Sequence, residues 1–199
     1  MTSLLVNHIL QTEKWTSPEL FETKNRIYTF LNPVSYLIAL ENKSLFKQFD
    51  GIFADGSLLV SAIRLVYGKR VTRRSFDMTS LAPELLNYLM ESRKTLYIVA
   101  SGQEQVECSV RIFQEQYPKL RIAGFRNGYF SSDAEMNKEA SHIVELIRIL
   151  IVGMGALMQE KFLLKVKKMG YQGIGFTCGG FVHQTAMNRM HYYPDWLIR

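Results

Sequence analysis

Short, nearly continuous apolar runs alternate along this chain with longer segments in which apolar residues recur every three or four positions. A continuous apolar run of about four to eight residues is typical of a strand buried on both faces, and the longer spacing is typical of an amphipathic helix. The pattern predicts strands at residues 27–31, 51–54, 95–100, 121–125, 149–152 and 173–176.

Helical periodicity occupies the segments between these strands, and the first such segment has a proline at its start. The expected helical stretches are 33 to about 49, 58–67, 81–89, 106–117, 136–147 and 161–169. Regular alternation of this kind predicts one α/β domain over residues 1–199, a Rossmann-like parallel sheet with helices on both faces. Residues 1–25 fit the alternation less well and could be a peripheral N-terminal addition.

Composition narrows the class of protein. Apolar residues make up 47% of the 199 residues and aromatic residues 12%, which excludes wholesale disorder. No apolar run approaches the roughly 18–20 residues that cross a bilayer, and polar residues interrupt any signal-peptide core, so we expect a cytoplasmic protein. Cys108 and Cys178 are far apart in sequence and are expected to be free thiols.

A formal charge of +6 and a pI near 9.3 predict an anionic partner, such as a phosphorylated metabolite, a membrane face or nucleic acid. Nucleic acid is disfavoured because the chain has neither an aromatic–basic strand signature nor a recognisable recognition helix. The remaining partners are a phosphorylated small molecule and an anionic surface.

Polar residues and glycines follow every predicted strand. In an open parallel sheet, ligands bind beyond the carboxyl ends of the strands, so these positions are expected to meet in one cleft. They are Asn32, Asp55-Gly56, Ser101-Gly102, Gly128-Tyr129, residues 153–160 and Gly179-Gly180.

The segment from Gly153 to Glu160 joins a buried strand to a helix. Gly153 and Gly155 allow a sharp turn and a close approach of the backbone to a ligand, and the free amides of the helix N-terminus favour an anion. Gln159 and Glu160 add an amide and a carboxylate. A diphosphate or a sugar is the expected occupant, although glycines at such turns are also common for steric reasons alone.

Asp55 is the outstanding ionisable residue, because it stands between an apolar strand and a glycine. It is either a carboxylate that faces the cleft or a turn and N-cap residue for the next helix. For Asp77 the N-cap interpretation is stronger. No two aspartates are adjacent or separated by one residue, which favours charge compensation by arginine and helix termini over a metal.

Metal and cofactor sites are not expected. The spacing of Cys178, His183 and His191 matches no standard zinc site. Gly153 and Gly155 lack the third glycine of a dinucleotide fingerprint, so no cofactor is predicted.

An ordered set of short motifs carries a family resemblance from about residue 27 to the C-terminus. The motifs are Asn32, Ala54-Asp55-Gly56, residues 68–71 leading to Arg73 and Asp77, Tyr117-Pro118, Gly128-Tyr129-Phe130, Gly153-x-Gly155 with Gln159-Glu160, Gly179-Gly180 and Pro194-x-Trp196. In this set the chain resembles the WecG/TagA/CpsF glycosyltransferases.

The resemblance implies an inverting, metal-independent transfer of an N-acetylmannosamine-type sugar from UDP to an undecaprenyl-diphosphate-linked saccharide. It also implies a peripheral protein at the inner face of the cell membrane. It leaves open whether this protein forms a homo-oligomer. Asp55 matches the general base. The expected substrate-binding residues are Asn32, Gly56, Arg73, Asp77, Tyr129, Gly153, Gly155, Gln159, Glu160, Gly180 and His183.

Several positions depart from the family pattern. Relatives have Thr-x-Asn at the end of the first strand, whereas here the threonine is displaced to Thr29, three residues before Asn32. Leu157-Met158 replaces Pro-Lys, His183 replaces an aspartate, and residues 192–194 replace Arg-Ala-Pro. Arg73 is one residue closer to Asp77 than usual, so Arg74 is a rival for its role. A basic, aromatic membrane-docking segment normally follows the position of Trp196, and without it we expect weak activity. The alternative is a Rossmann-like nucleotide-binding protein without transferase activity.

Overall fold

The computed structural model describes residues 3–189, in which one parallel sheet of six strands is formed. Its order is β2-β1-β6-β5-β3-β4. The strands are β1 (Arg26–Leu31), β2 (Gly51–Ala54), β3 (Thr95–Ala100), β4 (Arg121–Arg126), β5 (Ile149–Gly153) and β6 (Ile174–Thr177). The predicted α/β class and Rossmann-like arrangement are confirmed.

Helices cover both faces of this sheet. On the first face lie α1 (Leu4–Thr12), α3 (Pro33–Glu41), α4 (Lys43–Phe46), α5 (Ser57–Tyr67), α8 (Asp133–Leu146) and α9 (Met158–Lys168). On the second face lie α2 (Ser17–Glu22), α6 (Leu81–Ser92), α7 (Gln103–Gln116) and α10 (Phe181–Asn188). Within residues 3–189, no helix combines the length and the apolar character that a bilayer crossing requires.

Most strands are largely apolar and buried because they supply both cores, whereas the edge strand β4 has an arginine at each end and is only partly buried. In β1, Ile27 and Leu31 face the first core, whereas Tyr28 and Phe30 face the second. Successive side chains of a strand point to opposite faces, so a strand covered on both sides needs apolar residues at nearly every position. The exception in β1 is Thr29, which is fully buried and polar.

The helix expected from residue 33 to about 49 is two helices. The break lies at Asn42, whose backbone leaves helical geometry (φ −116°, ψ 36°) and whose side-chain amide donates to the carbonyl oxygen of Ile38 at 2.9 Å. A side chain that hydrogen-bonds the last turn of a helix in this way favours the end of the helix at that residue.

The start of α9 also differs from the expectation. This helix begins at Met158, three residues before the expected start at residue 161.

Residues 1–25 were considered a peripheral addition, but the described part of this segment packs into both cores. In α1, Leu5, Val6 and Ile9 are fully buried, and the helix packs against β2. In α2, Leu20 and Phe21 belong to the second core. The sequence resemblance begins near residue 27, but the hydrophobic core begins at α1.

Neighbouring leucines in α1 test how far this helix contributes to stability. Leu5→Ala should lower the free energy of unfolding by about 2–5 kcal/mol, because it leaves a cavity in the core. Leu4 is 40% exposed, and Leu4→Ala should change it by less than about 1 kcal/mol. Chemical denaturation of the two variants measures the difference. Equally small losses in the free energy of unfolding would show that α1 is not part of the cooperative unit.

Candidate active site

A pocket of about 760 Å³ opens at the edge of the sheet where the strands end. This volume lies within the range of small-molecule sites. Residues that follow all six strands line it, as the cleft rule predicts. They include Asn32 after β1, Asp55 after β2, Ser101 after β3, Gly128 after β4, Gly155 after β5 and Gly179 after β6.

Asp55 lies on the wall of this pocket and is not a helix cap. Its backbone N–H continues the sheet by donating to the carbonyl oxygen of Leu31 at 2.8 Å. The N-cap of α5 is Gly56, whose φ of +88° suits glycine, and no side chain caps that helix. The side chain of Asp55 is one-third exposed (33%). It is therefore available to a ligand.

Burial raises the pKa of Asp55 to about 6. The charge of Arg73 and a hydrogen bond from the N–H of Gly56 act in the opposite direction, and the charge of Asp77 adds to the rise. A carboxylate with this pKa is ionised at neutral pH and still binds a proton well enough to act as a general base.

Arg73 lies between two carboxylates and is not among the side chains that line the pocket. Its Nη2 is 2.9 Å from Oδ2 of Asp77 and 4.0 Å from Oδ1 of Asp55. Asp77 lines the pocket but does not cap α6, whose N-cap is Ser80. Its Oδ1 instead accepts hydrogen bonds from the N–H and the hydroxyl of Thr79, at 2.8 and 2.6 Å. Arg73 is thus placed to tune Asp55, whereas we expected direct contact with substrate.

The rival residue, Arg74, points to the N-terminal segment. Its guanidinium donates to the carbonyl oxygen of Trp15 at 2.9 Å and to the hydroxyl of Ser17 at 3.1 Å, and it stacks over the ring of Phe53. These contacts attach the loop between α5 and α6, which carries Arg74, to Ser17 of α2 and to Trp15 just before it. They leave Arg73 as the arginine beside Asp55.

The turn between β5 and α9 brings the backbone to the pocket. Gly155 has φ +81°, a conformation that glycine adopts at little cost. A Cβ on Gly153 would lie 2.7 Å from the carbonyl oxygen of Gly179, so only glycine lets the ends of β5 and β6 approach so closely. Leu157, where the family has proline, has φ +72°, which proline cannot adopt. The turn of this chain therefore differs locally from the family pattern.

Glu160, expected to bind substrate, lies beneath the pocket and is only 1% exposed. Its Oε1 accepts from the hydroxyl of Thr29 at 2.8 Å and from the amide of Gln159 at 2.9 Å, and its Oε2 accepts from the N–H of Leu157 at 2.7 Å. Burial raises the pKa of Glu160, and these hydrogen bonds oppose the rise. Contact with substrate is closed to it because protein groups surround it.

The other expected binding residues line the pocket: Asn32, Gly56, Asp77, Tyr129, Gly153, Gly155, Gln159, Gly180 and His183. Asn32 also caps α3, since its Oδ1 accepts from the N–H of Ser35 at 2.9 Å. Tyr129 is 75% exposed at the pocket, where a ring can stack on a base or a sugar. Their roles in binding stay predictions.

Met154 and Ala156 lie in the segment 153–160 that was expected at the cleft, but other lining residues were not anticipated: Phe30, Ser35, Phe76, Cys178, Phe181 and Gln184. The apolar members belong to strand ends and to core stripes, where the sequence gives no sign that one edge of the side chain is open. Gln184 carried a weak signal, because it lies one helical turn after Gly180.

No lysine or arginine of residues 3–189 lines the pocket, so an anionic ligand must be compensated in another way. Helices α3, α5 and α10 begin at its wall, at Asn32, Gly56 and Gly180, and α9 reaches the wall through Gln159 in its first turn. Each N-terminus offers free amides and a partial positive charge. The expected compensation by helix termini is thus available, and Arg73, the expected arginine, lies behind Asp55 and Asp77 and not among the lining residues.

A Rossmann-like parallel sheet with a pocket at its carboxyl edge is the usual arrangement of an α/β protein that binds a small molecule. The chain belongs to the glycosyl transferase WecG/TagA/CpsF family, whose model matches residues 9–199, and it is a glycosyltransferase.

Two curated relatives are similar along most of the chain. A UDP-Gal:alpha-D-GlcNAc-diphosphoundecaprenol beta-1,4-galactosyltransferase of Shigella boydii is 31% identical over 98% of this chain and 77% of its own length. An N-acetylglucosaminyldiphosphoundecaprenol N-acetyl-beta-D-mannosaminyltransferase of Bacillus subtilis (strain 168) is 20% identical over 87% of this chain and 67% of its own length.

Some residues named in the sequence analysis lie outside the described residues. They are His191, Tyr192-Tyr193-Pro194 and Trp196.

The raised pKa of Asp55 predicts how stability depends on pH. The folded chain binds the proton more tightly than the unfolded chain, so this carboxyl costs stability progressively as the pH rises from about 4 to above 6. Asp55→Asn should therefore raise the free energy of unfolding at pH 8 by about 1–2 kcal/mol, a figure reduced for the solvent exposure of the side chain. At pH 4 the gain should disappear. Denaturant titrations at both pH values test this, and a loss of stability at pH 8 would contradict it.

Proposed function

We propose that this chain transfers a sugar from a UDP-sugar to an undecaprenyl-diphosphate-linked saccharide, with inversion at the anomeric carbon and without a metal. The observation that carries the proposal is the pocket itself, because Asp55 and the β5–α9 turn both line it. Both relatives are named for transfer to diphosphoundecaprenol-linked N-acetylglucosamine, which supports this class of acceptor.

In this mechanism Asp55 takes the proton of the attacking acceptor hydroxyl. The oxygen forms a bond to the anomeric carbon while the bond from that carbon to the diphosphate oxygen breaks. UDP leaves with the bonding electrons. The amides of the α9 and α10 N-termini stabilise the added negative charge without a metal.

Inversion follows from a single displacement, because the hydroxyl and the leaving diphosphate must lie on opposite sides of the anomeric carbon. Both relatives are named for β-linked products. We expect UDP-galactose to be the first donor to test, because the galactosyltransferase is more similar to this chain than the mannosaminyltransferase, although an N-acetylmannosamine-type donor was expected from the sequence.

Activity should depend on Asp55 and on the pH at which it ionises. With UDP-galactose or UDP-N-acetylmannosamine and a lipid-diphosphate-linked N-acetylglucosamine, Asp55→Asn should lower kcat by about 10²–10⁴-fold. The control Asp133→Asn changes an exposed carboxylate in the first turn of α8 and should have little effect. For the wild type, kcat/KM should fall about tenfold per pH unit below about pH 6. UDP release and product mass, with and without a chelator, measure the reaction.

Arg73→Gln should move the acid limb of that profile to higher pH, since the charge of Arg73 lowers the pKa of Asp55. An unchanged acid limb would mean that another group controls it. Full transfer by Asp55→Asn would remove the proposed base. UDP binding without transfer in any variant would favour the alternative, a nucleotide-binding protein.

One exposed apolar surface lies next to the pocket, and we call it the α3–α5 face. Its members are 63 to 87% exposed: Val34, Leu37, Leu58, Leu65 and Val66. Helices α3 and α5 follow neighbouring strands and start at the pocket wall. Arg64 in the last turn of α5, and Lys69 and Arg70 just after this helix, are exposed and basic. Apolar side chains with a basic rim suit an anionic membrane surface, which would also present a lipid-linked acceptor to Asp55.

Vesicle binding tests this face. The chain should sediment with vesicles containing phosphatidylglycerol and not with phosphatidylcholine alone, and Leu65→Ser with Val66→Ser should reduce binding several-fold. Met187 is equally exposed on α10, and Met187→Ser should leave binding unchanged. If the wild type sediments with neither type of vesicle, membrane contact is contradicted. If the double variant instead changes the mass in solution, the face joins copies of this chain.

A further inference from the structure

A directed chain of buried hydrogen bonds runs beneath the pocket and ends at Glu160. The N–H of Phe30 donates to the hydroxyl of Thr177 at 3.4 Å, and that hydroxyl donates to the hydroxyl of Thr29 at 2.9 Å. Thr29 in turn donates to Oε1 of Glu160 at 2.8 Å. The threonine side chains are fully buried. Every hydroxyl therefore has its proton direction assigned by its neighbours.

Glu160 accepts at both oxygens, which is the behaviour of an ionised carboxylate. Oε2 accepts from the N–H of Leu157, where the backbone has a positive φ, and Glu160 stands in the first turn of α9. Negative charge is favoured at a helix N-terminus. The carboxylate thus ties the end of β1 to the turn that borders the pocket.

The same carboxylate determines which way the amide of Gln159 faces. The N–H of Gly179 can only donate, and it lies 3.1 Å from Oε1 of Gln159. An ionised Glu160 can only accept, and it lies 2.9 Å from Nε2 of Gln159. A flipped amide would place donor against donor and acceptor against acceptor. Both neighbours therefore select one orientation.

In this orientation the carbonyl oxygen of Gln159 is occupied, and one of its two N–H groups is used by Glu160. Within residues 3–189, no side chain or carbonyl accepts from the other N–H. Gln159 is 4% exposed, and the surface that it exposes lines the pocket. The N–H that has no acceptor among the described residues is a hydrogen-bond donor that Gln159 can offer to a ligand.

We propose that Glu160 is a positioning residue that holds Gln159 as a donor, and that Gln159 binds a phosphate oxygen of the departing diphosphate. The inference rests on the proposed function for the identity of that diphosphate. A phosphate is the acceptor that suits this place, because Gln159 stands in the first turn of α9 beside the open Gly155 backbone. A donor here also stabilises the charge that grows as UDP leaves.

Two substitutions at Gln159 separate a donor from an acceptor. Gln159→Met removes both functions without adding charge, and Gln159→Glu is nearly isosteric, keeps an acceptor and removes the donor. If Gln159 donates to phosphate, both variants should bind UDP about tenfold or more weakly than wild type by calorimetry. If binding by Gln159→Glu equals that of wild type, the donor assignment is overturned.

Charge at the pocket wall is controlled with Gln184→Glu, which adds the same charge on α10 outside the network. Its loss of affinity should be clearly smaller than that of Gln159→Glu. Equal losses, together with wild-type affinity in Gln159→Met, would mean that general repulsion explains the result and would also overturn the proposal.

Glu160 is tested by its dependence on Gln159. Glu160→Gln puts a donor against Leu157 or against Gln159, and it should weaken UDP binding several-fold in the wild-type background. In the Gln159→Met background the same change should cost less than half as much, because the positioned group is gone. Equal cost in both backgrounds would overturn the positioning role. If Glu160→Gln does not fold, Thr29→Val breaks one bond of the network and is read by the same criterion.

Inorganic diphosphate as a second probe distinguishes this inference from the proposed function. If the wild type binds diphosphate but not UDP, the UDP donor fails, and the Gln159 and Glu160 variants are judged with diphosphate. If the wild type binds both, both proposals are judged with UDP. If it binds neither, the phosphate contact of Gln159 is overturned together with the donor assignment.

Discussion

Parallel pairing of all six strands determines where every loop that follows a strand must lie. The carboxyl ends of the strands share one edge, so six segments far apart in sequence contribute to a single wall. Five of the six strands are buried at nearly every position, so their own residues are committed to the core, and polar chemistry is displaced to the residue just past the strand. Asp55 after β2 and Gly155 after β5 illustrate this separation.

Charge in the pocket is arranged in an unusual balance. Two carboxylates, Asp55 and Asp77, share Arg73, while the wall offers helix N-termini and amides to a ligand. A full positive charge directly on the diphosphate would also lower the pKa of a neighbouring base. In the transfer that we propose, partial charges from amides stabilise the leaving diphosphate and leave Asp55 basic enough to take a proton. The buried Glu160 contributes indirectly, through the groups that it orients.

The strands and their order of polar endings could be predicted from the chain, because burial on both faces leaves a plain apolar signature. The break at Asn42 and the early start of α9 could not, since they depend on one side-chain bond and on a turn at Leu157. Among the candidate residues, those after strands were found because their position follows from topology. Arg73 and Glu160 were assigned to substrate, and the structure instead places both among protein partners.

Residue type and spacing alone were sufficient for the α/β class, for the cleft at the strand ends, and for the expectation that Asp55 and Gln159 lie at this cleft. They were sufficient because periodicity and strand ends are local properties of the chain. Only the tertiary structure decided which side chains face solvent and which face each other. The approach of Arg73 to Asp55, the bonds of Arg74 to Trp15 and Ser17, and the bond of the Gln159 amide to Gly179 join residues at least 18 positions apart, and no local pattern encodes such contacts.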